Sequence, residues 1–240
     1  MSKSVEHELE ALRQAAQRFA IEVQPGLARP EAITGGDGAI APGLTRDELR
    51  WAELDRQLGP ELAGRRVLVV GGDEYDARAF ATRGASYVLV CTPADATCPP
   101  ANQGSVDRSA EPAVDVRGLG WQALDFSSHG TFDVVYCDGL LHRVLEPVTL
   151  LHTLRSVTAP RGTLLIGSMI LADPERSEYL RFISDRHAGD GTWRFIPGRL
   201  AFRWLLHTAG FEVVSEFGEQ EGPRDRIPVG SLYLRAVVSD

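Results

Sequence analysis

Gly71 and Gly72 directly follow a run of strand type, Val67-Leu68-Val69-Val70. Glycine lets the chain turn sharply and lets another molecule approach the main chain closely. Asp73 comes next, and residues 73–83 have helix character that Gly84 ends. In an open parallel sheet, the crevice beyond such a strand-turn-helix junction is where ligands bind. The chemistry on offer is therefore backbone contact with a ligand at the end of a strand. No Gly-x-Gly-x-x-Gly follows that strand, which argues against a nicotinamide-dependent dehydrogenase. Cys91, Cys98 and Cys137 show no metal-ligand spacing, and their odd number leaves one outside any disulfide scheme, so reduced thiols are expected.

The elements that must position this turn can be read along the chain. Residues 4–21 form an amphipathic helix, with Val5, Leu9, Leu12, Ala16 and Phe19 on one stripe. Residues 22–44 are rich in Gly, Pro and Ala and read as a surface connection. A second helix covers residues 45–58, with Thr45 and Glu48 placed as a capping box. Arg50 and Trp51 lie in it, either as a solvated arginine and a packing tryptophan or as ligand contacts. Strands are expected over 86–91, 113–117, 132–137 and 163–170, and a helix over 146–157. Residues 94–112 read as a long polar surface loop. Residues 174–187 and 198–208 read as further helices, and 211–217 and 231–238 as strands.

Alternating strands and helices from residue 65 to 170 imply a parallel sheet with helices on both faces. Parallel neighbours need a long crossover, whereas the last two strands are joined by a short loop. They should therefore form an antiparallel hairpin at one end of the sheet. The expected fold is α/β, a Rossmann-like seven-stranded, mostly parallel sheet with a C-terminal antiparallel hairpin. Residues 1–44 would precede one domain over 45–240.

The formal net charge of -8 lowers the prospect of a nucleic-acid substrate, since phosphate binding calls for a basic face. The charged N-terminal stretch lacks the apolar core of a signal peptide, and no apolar run is long enough for a bilayer. A cytoplasmic protein is expected, with no membrane partner.

Several motifs resemble those of class I S-adenosylmethionine-dependent methyltransferases. They are Phe132-Asp133-Val134-Val135-Tyr136-Cys137-Asp138-Gly139 with Leu141-His142-Arg143 after it, Pro160-Arg161-Gly162-Thr163-Leu164, and Ala209-Gly210-Phe211-Glu212. Their order and spacing carry the resemblance over residues 45–240. A narrower likeness covers Arg46-Asp47-Glu48-Leu49-Arg50-Trp51, Leu119-Gly120-Trp121-Gln122-Ala123-Leu124 and Trp193-Arg194-Phe195-Ile196-Pro197. These segments are similar to the family that modifies the tRNA wobble uridine with carboxy-S-adenosylmethionine. In that family a lysine that helps bind the cofactor stands at the position of Arg50.

The resemblance implies S-adenosylmethionine as cofactor, or its carboxylated form, and assigns roles. Gly71, Gly72 and Asp73 would take the amino-acid tail, and Trp121 and Gln122 the adenine. Asp138 and Gly139 would lie under the methionine moiety, and Arg50 would join them. Cys91 and Thr92 stand where the family usually places an acidic ribose-binding residue, and the glycine turn is one residue short of the fuller pattern. His142 is either a polar residue on the rim or a substrate contact. As a contact it is the candidate general base, because its ordinary pKa lies near the working range. Residues 193–197 would lie in a loop over the cleft, as a substrate-side wall or as core packing.

The reading that follows is a methyltransferase acting on a small-molecule acceptor. One alternative is a tRNA uridine (carboxy)methyltransferase, which a basic stripe of Arg46, Arg50, Arg194, Arg199 and Arg203 would support. Another is a non-catalytic binding protein that keeps the fold.

Overall fold

The computed structural model describes residues 46–58, 62–72, 74–91, 113–117, 120–183, 187, 190–224 and 228–239. The readings made for residues 1–45 and for the loop over 94–112 lie outside these, as do Asp73, Thr92 and Cys98.

Helix α1 (Arg46–Leu58) leads into strand β1 (Arg66–Val70), helix α2 (Glu74–Thr82) and strand β2 (Tyr87–Cys91). Strand β3 (Ala113–Arg117), the short helix α3 (Phe126–His129) and strand β4 (Phe132–Asp138) follow. Helix α4 (Pro147–Val157), strand β5 (Thr158–Leu171) and the short strands β6 (Leu180–Phe182) and β7 (Phe195–Pro197) come next. Helix α5 (Arg199–Thr208) and strands β8 (Phe211–Arg224) and β9 (Pro228–Val238) complete the chain.

Seven strands form the main sheet in the order β3-β2-β1-β4-β5-β9-β8. β1 pairs in parallel with both β2 and β4, and β4 pairs in parallel with β5. β9 runs antiparallel to β5 and to β8, so the expected hairpin closes one edge. Strand order reverses direction between β1 and β4, which puts the ligand crevice of an open α/β sheet at their C-terminal ends.

Strand period divides the core in two. Leu68, Val70, Leu89 and Cys137 face α4 and α5, packing with Leu150, Leu154 and Phe202. Val67, Val69, Val88 and Tyr136 face α1 and α2, packing with Trp51, Leu54 and Phe80. Trp51 meets Phe80 edge to face at 4.9 Å between ring centroids. Arg83 holds α1 on α2, donating to Asp55 at 2.9 Å and lying 4.5 Å above the Trp51 ring.

One element differs from expectation. The helix read over residues 174–187 is a single turn at Pro174–Arg176 followed by β6. The spacing of Tyr179, Leu180, Phe182 and Ile183 suits a helix, yet Leu180 and Phe182 also match a strand's period of two. The antiparallel partner β7 decides between them, pairing Leu180 with Pro197 and Phe182 with Phe195. The same pairing corrects the loop expected over 193–197: Phe195–Pro197 is strand, and Phe195 and Ile196 are buried.

Candidate functional site

The site grows from the C-terminal ends of β1 and β4. Val70 lies opposite Cys137, so Gly71 and Asp138 emerge side by side. Gly71 has φ +77°, and a Cβ there would come 2.6 Å from the Asp138 carbonyl oxygen. A Cβ on Gly72 would stand 2.7 Å from Asp76 Oδ2. The two glycines thus let the turn pass against Asp138 and Asp76 without a clash. Gly139, at φ +64°, faces open space: nothing lies within 4 Å of where its Cβ would be. Main chain at Gly139 can therefore be approached, and Gly71 is itself exposed to solvent.

Arg50 reaches this point from α1. Its Nη1 donates to Asp138 Oδ2 at 2.9 Å and its Nη2 to Asp76 Oδ1 at 2.8 Å. Two hydroxyls converge on the same Asp138 oxygen, Tyr136 Oη at 3.2 Å and Tyr233 Oη at 2.9 Å. Tyr136 stands two residues before Asp138 on the same face of β4, as strand geometry dictates. Tyr233 arrives from β9. Asp138 pairs with Gly167 on β5, and Gly167 pairs with Tyr233. A Cβ on Gly167 would fall on Asp138 Oδ1 and 2.5 Å from Tyr233 Cε1, so its bare backbone lets the two side chains meet above β5.

The electrostatics of this cluster are one-sided. Burial disfavours the charged guanidinium of Arg50, but Tyr136, Asp76, Tyr233 and Asp138 together outweigh it and raise its pKa. Burial, then Asp138, pushes the Tyr136 phenol well above its ordinary value. Burial, then Asp138, also raises Tyr233. Both phenols stay neutral donors, and the formal charges of Asp76, Asp138 and Arg50 sum to one negative.

His142 lies on the turn Leu141–Arg143 after β4 and is 3% exposed. Its Nδ1 is 3.5 Å from Ser168 Oγ and from the Met169 amide. Burial, reinforced by Arg143, lowers its pKa to about 3, so the ring is neutral and a weak base. Its backbone carbonyl accepts from the Arg194 amide at 2.8 Å, tying the β4 rim to β7. Trp193 packs edge to face on the His142 ring at 5.1 Å and lies 5.0 Å from that of His187. Asp190 fixes Trp193 by accepting its Nε1 at 3.0 Å, and it accepts the Thr192 amide at 2.8 Å as well. Burial raises the Asp190 pKa, and hydrogen bonds from Thr192, the Arg143 charge and Trp193 more than reverse that.

The remaining expected residues are placed as follows. Cys91 ends β2 with 1% exposure and points into the α4 face of the core. Trp121 sits on a short helical turn and packs in that same core at 7% exposure. Gln122 beside it is exposed, with Oε1 near Gly120. The structure thus unites Arg50, Gly71, Gly72, Asp138 and Gly139, and sets Cys91 and Trp121 as packed side chains on the far face of the sheet. Asp76, Tyr136, Gly167 and Tyr233 went unread. Tyr136 carried a signal: a tyrosine within an otherwise apolar central strand needs a polar partner for its hydroxyl.

The chain belongs to the methyltransferase domain family, whose profile matches residues 45–216. Its fold is similar to that of Burkholderia thailandensis 1,6-didemethyltoxoflavin-N1-methyltransferase, a structure with 1,6-didemethyltoxoflavin and S-adenosylhomocysteine bound. The TM-score is 0.61 at 21% identity, over 81% of this chain and 79% of that one. A Listeria monocytogenes S-adenosylmethionine-dependent methyltransferase superposes with a TM-score of 0.58 at 16% identity, over 79% and 98% of the chains. The [4+2]-cyclase SpnF shares the fold too, with a TM-score of 0.59 at 19% identity, over 79% of this chain and 81% of that one. Among curated proteins, a tRNA U34 carboxymethyltransferase of Wolinella succinogenes is 34% identical over 85 residues, 35% of this chain. That match spans only 30% of the relative's length.

Proposed function

We propose that the protein transfers the methyl group of S-adenosylmethionine to a small-molecule acceptor. The observation that carries this reading is the junction at the ends of β1 and β4, where Gly71, Gly72 and Gly139 lie beside Asp138, set in a methyltransferase domain. The cofactor would supply a methyl group already activated on a sulfonium. Gly71, Gly72 and Gly139 would admit its amino-acid tail to the main chain. Asp138, held by Arg50, Tyr136 and Tyr233, would present a fixed acceptor below it. Preorganised groups of this kind cost no reorganisation when the reaction occurs. The Trp193 wall, braced by Asp190, would keep water from the acceptor side. His142, buried and neutral, suits a positioning hydrogen bond better than proton abstraction. The acceptor would then have to be nucleophilic on its own.

Calorimetric titration with S-adenosylmethionine and S-adenosylhomocysteine tests this. Micromolar binding is expected, lost in Gly71→Arg, with circular dichroism confirming that the variant folds. No binding by the folded wild-type protein would leave a non-catalytic, fold-only role.

The local match to a tRNA U34 carboxymethyltransferase favours a second reading, a tRNA modifier. The charge layout weighs against it. Arg199 and Arg203 both pair with Glu216, at 2.9 and 2.6 Å, and Arg50 lies between two carboxylates. Arg194 is exposed.

A further inference from the structure

The helices on the two faces of the sheet differ in character. On one face, seven of the 13 residues of α1 are Asp, Glu or Arg. On the other, α4 has one charged residue in 11, Arg155, α5 has two in 10, Arg199 and Arg203, and α3 has none. Each of these arginines is turned to its own chain. Arg155 Nε donates to the Gly210 carbonyl at 3.3 Å, and Arg199 and Arg203 pair with Glu216. Large apolar side chains stand where α1 has charges. Leu145, just before α4, is 78% exposed and Trp204 on α5 is 59% exposed. Phe126 on α3, Val148 on α4 and Leu200 on α5 are exposed as well. α3 packs on α4, and α4 on α5, so these side chains share one outer surface. Leu200 and Trp204 are one turn apart on the same side of α5. The Trp204 ring meets His207 of its own helix edge to face, at 6.0 Å between centroids. Charge returns at the border, with exposed Glu146 at the start of α4 and exposed Glu212 beyond the end of α5.

An exposed apolar surface with a polar border marks an interaction site. Depletion of charge together with Trp and Phe marks the core of a protein interface. The charge pattern also selects the occupant. Two copies of a chain with a formal net charge of -8 repel one another as wholes. α3, α4 and α5 contain no Asp or Glu, so on this surface two copies can meet without setting carboxylate against carboxylate. A basic partner finds no carboxylate on these helices, and an acidic one finds Arg199 and Arg203 already paired with Glu216. We propose that the outer surface of α3, α4 and α5 is a homodimer interface. The contact is isologous, the same surface of each protomer facing the other. It does not depend on what the β1–β4 crevice binds.

Sedimentation velocity of the full chain over a wide range of concentration tests this. A dimer that dissociates on dilution is expected. Trp204→Glu and Val148→Glu place a carboxylate on the apolar surface at exposed positions, so the fold should tolerate them. Each is expected to raise the dissociation constant about tenfold or more, since a dimer would bury that charge unpaired. Tyr75→Glu, at an exposed position of α2 on the opposite face, is expected to leave the dissociation constant unchanged. Circular dichroism checks that each variant folds. A chain that stays monomeric at every concentration overturns the proposal and leaves the surface to a different partner. A dimer that survives both Trp204→Glu and Val148→Glu, or that Tyr75→Glu weakens as much, overturns it too and moves the contact elsewhere.

Discussion

Tyr233 and Asp138 lie on strands separated by β5, yet their side chains are joined by a 2.9 Å hydrogen bond above Gly167. The bond links the C-terminal hairpin to the crevice. Tyr233→Phe should therefore do more than trim a side chain. Hydrogen bonds to charged groups contribute about 1.5–3 kcal/mol. A loss of that size is expected in urea denaturation, seen as a lower midpoint with an unchanged slope.

Gly167→Ala is the complementary test. The added methyl would enter the space of the Asp138 carboxylate and the Tyr233 ring. Overpacking of this kind costs about 1–3 kcal/mol, against a gain of roughly 0.5–1 kcal/mol from replacing glycine within a strand. Net destabilisation, read as a lower melting temperature, is expected. A rise in melting temperature would show that the two side chains can part at no cost.

His142 makes stability depend on pH. Its folded pKa, about 3, lies below the 6.5 of the free side chain, so between these values the unfolded chain binds the extra proton. Stability is thus full above about pH 6.5 and falls as pH drops toward 3. The slope approaches ~1.4 kcal/mol per pH unit for one proton. His142→Phe should flatten that limb of the curve in denaturation midpoints measured from pH 7 to 4. An unchanged limb would assign the acid sensitivity to other groups.

Glu216 pairs with both Arg199 and Arg203 on α5. The arginine side chains are 41% exposed, so each pair contributes only about 0.5 kcal/mol. Glu216→Gln should barely change the melting temperature. It should increase retention on heparin by removing the one carboxylate that two arginines of this helix share. If the wild-type protein already binds tRNA in a salt-sensitive way, the small-molecule reading loses ground to the tRNA one.

The central sheet was legible because its strands carry their own signal. Val67 to Val70 and the run from Val134 to Cys137 are predominantly apolar and bounded by glycine or Asp-Gly, as strands covered on both faces must be. The hairpin followed from a connection too short for a crossover. β6 was not legible, since Leu180 and Phe182 acquire strand character from a partner that begins at Phe195. The candidate site divides in the same way. Gly71, Gly72, Asp138 and Gly139 announce themselves at strand ends. Asp76, Gly167 and Tyr233 belong to the site through cross-strand register and the packing of α2, which no local window contains. Arg50 was placed at the site by resemblance, and only its geometry revealed two carboxylate partners.

Cys137 pairs across from Val70 with its thiol fully buried, and burial, then Asp138, raises the pKa of that thiol. A protonated thiol sealed between β1 and its neighbours is inert to alkylating reagents. Labelling at this residue, followed by peptide mass, would then occur only when β4 separates from its surroundings. The residue is a built-in clock for opening of the sheet at the root of the crevice. A ligand that clamps Gly71 against Asp138 would slow that clock, whatever its chemical identity.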